Sequence, residues 1–83
     1  MVKESPWYVY LLECLDNSYY TGITNDLDKR MSAHKSGKGS KYVLSRGFKQ
    51  LLASKTYPSK SEALKAEYKI KQLPKEDKIL FFK

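Results

Sequence analysis

The sequence predicts an α+β fold: a small, three-stranded, mainly antiparallel sheet flanked by helices, in the order β-β-α-β-α-α. Two neighbouring segments near the N-terminus alternate apolar and polar residues on either side of a turn, which is typical of a hairpin. Two later segments place apolar residues at helical spacing behind clear capping residues. The chain has 83 residues, which suffices for one hydrophobic core and predicts a single domain over residues 1–83.

The first two strands are predicted at residues 7–14 and 18–24. Both segments are rich in tyrosine and aliphatic residues, which favour strands. Asp16, Asn17 and Ser18 form the connection, and these residue types favour turns. The two strands should therefore pair as an antiparallel hairpin.

The first helix follows the hairpin. Asn25 or Asp26 can cap it, and it should run to about Lys35. Serines and glycines at positions 36–40 should then end the helix in a mobile basic loop. One further helical turn is predicted near residues 41–45.

The C-terminal half predicts one strand and two helices. Residues 48–57 are predicted as the third strand, which Pro58 ends. Ser59, with Glu62 three residues later, forms a capping box for a helix to about residue 72. Pro74 then opens a last short helix.

The chain is strongly basic. Sixteen Lys and Arg residues against nine Asp and Glu residues give a formal net charge of +7. Residues 29–60 contain nine of these cations and no acid. This stretch predicts a polyanionic partner such as nucleic acid, because phosphate contacts release counterions. A solvated basic surface is the alternative. A membrane surface fits less well, since no segment opposes a basic face to a wide apolar one.

Cysteine and histidine usage limits the redox and metal chemistry. Cys14 is the single cysteine, so no internal disulfide can form, and together with the lack of a signal peptide this predicts a cytoplasmic setting. One cysteine and one histidine are too few for a zinc cage. No apolar run approaches the roughly 20 residues of a membrane span.

A carboxylate interrupts the apolar face of the helix after Ser59. Projected at about 100° per residue, that face consists of Ala63, Leu64, Ala66, Ile70 and Leu73. Glu67 falls inside it, and a buried carboxylate needs compensation. Pairing with Lys71, one turn further on, is one explanation. The other is that Glu67 faces a polar cavity and holds a cation.

Arg30 and His34 form a second polar stripe. They lie one turn apart beside Leu27 and Met31, so both should sit at the edge of the packed surface, facing the sheet. An isolated histidine at such an edge commonly has no special function. The planar guanidinium of Arg30 suits a phosphate.

The order of these residues resembles the signature of the GIY-YIG nuclease family. Tyr8-Val9-Tyr10 is followed by Tyr20, ten residues after Tyr10, and by Arg30 after ten more. The resemblance continues through the sequence EALKAEYKIKQL and covers nearly the whole chain. It is closest to the small stand-alone bacterial members, an uncharacterised protein family, and the chain is also similar to the nuclease domain of the endonuclease Slx1. Tyr8 replaces the first Gly of the motif, and Thr21 replaces its Ile.

The resemblance implies roles for both tyrosines and for a glycine. Tyr10 matches the family's general base, which activates or positions water. Tyr20 matches the tyrosine that orients the phosphate or the hydrated metal. Gly22 lets the backbone pass close to the site. Excision-repair members have a lysine just after the second triplet, where this chain has Ile23.

The resemblance also implies roles for the helical residues. Arg30 matches the arginine that stabilises the charged transition state, and His34 matches an auxiliary histidine. Glu67 matches the glutamate that anchors a divalent cation, Mg²⁺ or Mn²⁺. A single carboxylate suffices for Mg²⁺, which keeps most of its waters. Tyrosine is a difficult base, because a pKa of about 10 leaves on the order of 0.1% phenolate at neutral pH.

These features predict a Mg²⁺-dependent DNA endonuclease domain, with a role in DNA repair or recombination. The nucleic-acid surface should include four basic residues, namely Lys35, Lys38, Lys41 and Arg46. Structured or damaged DNA is the expected substrate, and a partner protein could supply specificity. The alternative is a nucleic-acid-binding module of the same fold with little or no turnover, although such a module needs neither Tyr10 nor Glu67. A protein-interaction domain would leave the basic stretch unexplained.

The hairpin register decides whether Tyr10 and Tyr20 can share one site. A two-residue turn would pair Tyr10 with Ile23 and direct Tyr20 to the opposite face. We therefore predict either a three-residue turn at 16–18, which pairs Tyr10 with Thr24, or an equivalent bulge that shifts the alternation by one residue; either places both phenols on one face. Trp7, Val9 and Leu11 should then pack on the other face.

Overall fold

A computed structural model of the chain describes residues 6–83. The order of elements is β1 (Trp7–Cys14), β2 (Tyr19–Thr24), α1 (Leu27–Lys35), α2 (Lys41–Arg46), β3 (Phe48–Tyr57), α3 (Lys60–Gln72) and α4 (Lys75–Leu80). The predicted fold class and the order β-β-α-β-α-α are confirmed. The expectations about a signal peptide and about the start of the domain concern residues 1–5, which lie outside the described part.

The sheet is three-stranded and antiparallel, with the order β2-β1-β3. β1 is therefore the central strand, and its side chains alternate between two helical layers. Its pairing with β3 shifts register between Leu11 and Leu12 and again between Glu13 and Cys14. Within residues 6–83, no helix is long and apolar enough to cross a membrane.

The hairpin places Tyr10 opposite Gly22 and Leu12 opposite Tyr20. The predicted pairing of Tyr10 with Thr24 is therefore wrong by two residues. A shift of two preserves the alternation of side chains, so Tyr10, Leu12 and Tyr20 share one face of the sheet as predicted.

The turn explains this shift. The Cys14 N–H donates to the Ser18 carbonyl oxygen at 2.8 Å, so the strands stay paired up to this point. The connection consists of residues 15–17 rather than the predicted 16–18. Asn17 closes it with a φ of 69°, in the left-handed region that asparagine tolerates and that three-residue hairpin loops require.

Each face of the sheet has its own hydrophobic core. Beneath α1 and α2, the buried cluster consists of Tyr10, Leu12, Cys14, Met31 and Val43. Beneath α3, it consists of Val9, Ala63, Ala66 and Ile70, with Trp7, Phe81 and Phe82 packed at its edge. The predicted packing of Trp7 and Val9 behind the tyrosine face is confirmed.

The helices begin where their capping residues predict. The Asp26 carboxylate accepts from the Lys29 N–H at 3.0 Å, and the Ser59 hydroxyl accepts from the Glu62 N–H at 3.2 Å. One prediction about α3 is wrong: Leu64 is 44% exposed. It lies on the flank beyond the stripe formed by the buried alanines and isoleucine.

Candidate active site

Tyr10 and His34 form a buried hydrogen-bonded pair between the sheet and α1. The Tyr10 hydroxyl oxygen lies 2.8 Å from His34 Nε2, and each residue is 2% exposed. The rings meet edge to face, with centroids 5.7 Å apart. The prediction that His34 lies at the edge of the packed surface is wrong. Its spacing of three residues from buried Met31 turns the imidazole into the core.

Two glycines make room for this pair. A Cβ atom on Gly22 would lie 2.5 Å from the Tyr10 hydroxyl oxygen, because the phenol passes directly over the backbone of β2. A Cβ atom on Gly39 would overlap the His34 imidazole at Nδ1 and lie 2.7 Å from Cε1. The close approach expected at Gly22 thus occurs, and it is Tyr10 itself that approaches. A side chain at either glycine would displace the pair.

Tyr20 lies next to the buried pair and is only half-buried. Its ring centroid is 6.3 Å from that of Tyr10 and 5.6 Å from that of His34. On another side it contacts Tyr42 of α2, with centroids also 5.6 Å apart. The two tyrosines predicted to share a site are therefore neighbours, and Tyr20 is the more accessible of them.

Tyr42 belongs to this aromatic cluster, although the sequence analysis did not select it. It is 38% exposed, and the Arg46 guanidinium carbon lies 4.5 Å from its ring centroid. The signal in the sequence was an aromatic residue one helical turn before an arginine, within the acid-free basic stretch. Arg46 also binds Asp16 of the hairpin turn, with Nη1 and Oδ2 2.6 Å apart.

Arg30 connects α1 to the following loop. Its Nη1 donates to the Gly39 carbonyl oxygen at 3.3 Å. Beside Arg30 is a small cavity of about 220 Å³, lined by Thr24, Asn25, Asp26, Lys29, Arg30 and Ala33. The guanidinium is half-buried, and the adjacent cavity gives a small anionic group room to approach it.

Glu67 lies on α3, which packs on the other face of the sheet and also contacts β2. Its side chain is 19% exposed, and Oε2 lies 3.5 Å from Lys71 Nζ. The predicted pairing with Lys71 is thus confirmed. The carboxylate also acts on the tyrosine face, because its charge contributes to raising the pKa of Tyr10. Its role in holding a cation stays a prediction.

The surroundings keep both members of the buried pair uncharged at neutral pH. Burial raises the pKa of the Tyr10 phenol well above its ordinary value; Tyr20 and Glu67 raise it further, whereas Arg30 lowers it. Burial, and then the Arg30 guanidinium, lower the pKa of His34 below 6.5. The imidazole therefore keeps a lone pair on one ring nitrogen, and the phenol keeps its proton.

The donor atoms near this pair suit a hydrated hard cation. Across residues 6–83, no three His, Cys, Asp or Glu side chains come together as a metal-ligating group. The predicted donors are one carboxylate, from Glu67, and the hydroxyl oxygens of Tyr10 and Tyr20. Mg²⁺ needs only one or two carboxylates because it retains waters, whereas zinc sites use three or four protein ligands.

The four predicted nucleic-acid-binding residues lie in the segment from the end of α1 to the end of α2. Lys35, Lys38 and Lys41 are exposed. The loop between the helices, which we expected to be mobile, is hydrogen-bonded back to α1, since the Lys38 N–H donates to the Ala33 carbonyl oxygen at 2.8 Å. The fourth residue, Arg46, forms the salt bridge to Asp16 described above.

Comparison with known proteins assigns the chain to a family. A family model described as the GIY-YIG catalytic domain matches residues 6–79. The chain belongs to the GIY-YIG family, and within it to the UPF0213 proteins. GIY-YIG domains are nuclease domains, so the fold is of nuclease type.

The similar proteins are small bacterial proteins of nearly the same length. A UPF0213 protein from Cupriavidus pinatubonensis is 49% identical over 81 residues, which cover 98% of this chain and 90% of that protein. One from Halalkalibacterium halodurans is 51% identical over 71 residues, covering 86% of this chain and 76% of the relative.

Solved structures agree with the fold. The solution NMR structure of the UPF0213 protein from Bacillus halodurans has 47% sequence identity and a TM-score of 0.57, and covers 92% of this chain and 81% of that one. A solution NMR structure of a protein from E. faecalis has 33% identity and a TM-score of 0.64, covering 98% and 86%.

Proposed function

We propose that this protein is a Mg²⁺- or Mn²⁺-dependent endonuclease that hydrolyses phosphodiester bonds in DNA. The catalytic residues would be Tyr10, Tyr20, Arg30, His34 and Glu67. The observation that carries this proposal is the clustering of Tyr10, Tyr20 and His34, with ring centroids 5.6 to 6.3 Å apart, within the electrostatic influence of Arg30 and Glu67. An ordinary core would not bury a phenol and an imidazole beside two charged groups.

Glu67 would hold the cation, which when bound neutralises phosphate charge and makes a coordinated water more acidic. The Lys71 ammonium, 3.5 Å from Glu67 Oε2, would help to orient the carboxylate and leave its other oxygen for the cation. Tyr20 is positioned to donate its hydroxyl to a phosphate oxygen. Arg30 would contact the same phosphate with its planar guanidinium and stabilise the charge of the transition state.

His34 offers Tyr10 a way to act as a base without accumulating phenolate. The attacking water gives a proton to the Tyr10 oxygen while the Tyr10 hydroxyl gives its own proton to His34 Nε2, 2.8 Å away. The hydroxide would attack phosphorus, the bond to the leaving oxygen would break, and solvent water would protonate the departing alkoxide; His34 would then return its proton through Tyr10 to solvent. Tyr10 is 2% exposed, so its hydroxyl must become more accessible before water reaches it.

The basic side chains from α1 to α2 would hold the DNA backbone. Lys35, Lys38, Lys41 and Arg46 can neutralise phosphates, and this surface has no obvious helix that reads base edges. The substrate would accordingly be structured or damaged DNA rather than a particular sequence, in repair or recombination. We further propose that the protein acts as a single domain in the cytoplasm and that a partner protein supplies specificity.

The second candidate is a DNA-binding module of the same fold with little or no turnover. The burial of Tyr10 and the raised pKa of its phenol favour this alternative. It predicts the same salt-dependent binding, because the same basic side chains contact phosphate.

A cleavage assay separates the two candidates. The purified chain is incubated with linear, nicked, flapped and four-way-junction DNA and with single-stranded DNA and RNA, in Mg²⁺, Mn²⁺ or a chelator. We expect cleavage of at least one DNA structure with Mg²⁺ or Mn²⁺ and none with the chelator. Binding to the same substrates without cleavage in either metal would instead support the module.

A further inference from the structure

A second concave surface lies on the face of the sheet opposite to Tyr10 and His34. It is a groove of about 540 Å³ between α3, the end of β3 and the residues after α4. Tyr57 and Phe81 form one wall and Tyr68 of α3 forms another. Tyr57 and Phe81 also pack against the core cluster beneath α3, so the groove is separated from the catalytic face by the sheet.

The groove exposes more apolar surface than the rest of this charged protein. Leu64 is 44% exposed and Tyr68 is 67% exposed, and they lie one helical turn apart on the outer flank of α3. Both line the groove. Its volume falls in the range of about 300 to 1,000 Å³ that is usual for binding clefts. A cleft of this size with exposed leucine and tyrosine side chains is a candidate binding site.

The rim of the groove is positively charged. Lys65 and Lys69 line it, and Lys55 Nζ lies 5.6 Å from the ring centroid of Phe81. Glu62 also lines the groove, but its carboxylate is 3.7 Å from Lys65 Nζ and is thereby partly neutralised. In the part of the chain that the structure describes, no carboxylate lies within salt-bridge distance of Lys55 or Lys69.

These features fit a protein ligand better than a nucleic-acid strand. A strand would find aromatic rings and lysines here, but the aliphatic side chain of Leu64 offers it no ring on which a base can stack. A helical segment with one apolar face would instead cover Leu64 and Tyr68 and bring its own acids to the lysines.

We propose that this groove binds an acidic amphipathic segment of a partner protein. Apolar side chains of the segment enter between Tyr68 and Phe81, and its carboxylates face Lys55 and Lys69. The partner leaves the catalytic face open because it docks on the other side of the sheet. This inference goes beyond the proposed nuclease function and does not require it, since the groove shares none of the five catalytic residues.

The proposal is tested by NMR titration of the full, isotope-labelled chain. The probe is a synthetic helix of about 14 residues with leucines at i, i+3, i+4 and i+7 and glutamates at most other positions. A scrambled peptide of the same composition lacks the apolar face and serves as the control. A single-stranded oligo-dT of about 12 nucleotides is titrated separately.

We expect the helical peptide to shift amide signals around Leu64, Tyr68 and Phe81. The scrambled peptide should bind about tenfold more weakly. Tyr68→Ser and Lys69→Glu should each weaken binding of the helical peptide by about five- to tenfold. Lys83→Glu makes the same charge change outside the groove and should change affinity by less than about twofold.

Several outcomes would overturn the proposal. Equal binding of both peptides would show attraction by charge alone. Shifts centred on α1 and α2 would place the peptide on the other face. Shifts of the groove signals by oligo-dT, but not by the helical peptide, would make the groove a nucleic-acid surface. Shifts that depend on protein concentration without any peptide would indicate that a second copy of the chain occupies it.

Discussion

The two faces of the sheet are packed by different chemistry, although the same central strand supplies both. On the α3 face, Val9 meets Ala63, Ala66 and Ile70, and the side chains of this buried cluster are all aliphatic. On the α1 face, alternate residues of β1 bring Tyr10 into the core, where it meets His34. The α1 face therefore buries polar groups at positions where apolar groups would pack equally well.

The buried polar groups lower the free energy of unfolding, and this cost arises on the α1 face alone. Within residues 6–83, His34 Nδ1 is a buried side-chain nitrogen without a hydrogen-bond partner. Leaving such an atom unpaired costs about 1–3 kcal/mol. A face that retains this cost is expected to be selected for chemistry, whereas the buried aliphatic side chains of the α3 face are expected to serve stability.

The largest effect is expected from Glu67→Gln, which removes the carboxylate and keeps its shape. We expect DNA cleavage to fall by about a thousandfold, equivalent to about 4 kcal/mol of transition-state stabilisation. Thermal unfolding should change little, because only the partly exposed contact to Lys71 is lost. Glu76→Gln is the matched control on exposed α4. Equal loss in both variants, or full activity of Glu67→Gln, would contradict the site.

Ile70→Ala probes the stability face. Ile70 is fully buried, so deleting its side chain should cost about 3 kcal/mol of unfolding free energy, measured by urea denaturation. At low temperature, where the variant is folded, cleavage should stay within about threefold of wild type. A cleavage loss far beyond the unfolded fraction would mean that the two faces are not separate.

Tyr10 and His34 can be compared in a double-mutant cycle. Tyr10→Phe leaves His34 without a partner and should cost about 1–2 kcal/mol of stability. His34→Leu should cost a similar amount. The double variant Tyr10→Phe/His34→Leu removes both polar partners and should be more stable than the sum of the two costs predicts. Simple additivity in urea denaturation would show that the hydrogen bond is energetically unimportant.

Charge reversal on the two faces should affect DNA affinity differently. Lys38→Glu and Lys41→Glu should each weaken DNA binding by about tenfold, or about 1.4 kcal/mol, and reduce the salt dependence between about 50 and 200 mM. Lys69→Glu makes the same charge change on the opposite face and should reduce affinity by less than about threefold. Equal losses at all three positions would indicate attraction by net charge rather than a defined surface.

Local signals predicted most of the fold. Capping side chains at Asp26 and Ser59 act within three residues, so helix starts follow directly from the sequence. The hairpin register was missed by two residues, because it depends on Asn17 adopting a left-handed conformation and not on which residue types favour turns. The alternation of side chains survived that error, since it depends only on whether the shift is even or odd.

The site was harder to derive, because its details depend on packing between elements. The spacing of residues along the sequence identified Tyr10, Tyr20 and Glu67 as candidate site residues. It did not show that His34 is buried under the Gly39 backbone. Helical periodicity could not show that burial, since it requires the loop after α1 to fold back. Tyr42 was missed for the same reason: its contact with Tyr20 joins α2 to β2, and no pattern within either segment encodes it.

The smallest effect is expected from a change in pH, which should alter stability through His34 on the α1 face. The pKa of His34 is lowered by burial and by Arg30, so the folded state resists protonation more than the unfolded state does. Its contribution to stability is fully present above about pH 6.5 and is lost as pH falls through the lowered pKa. Cleavage should fall over the same range, because a protonated His34 cannot accept the Tyr10 proton.

Urea denaturation of wild type and His34→Leu from about pH 8 to about pH 5 isolates this contribution. An identical loss of stability in both proteins would assign the pH dependence to other groups and remove His34 from the proposed proton transfer.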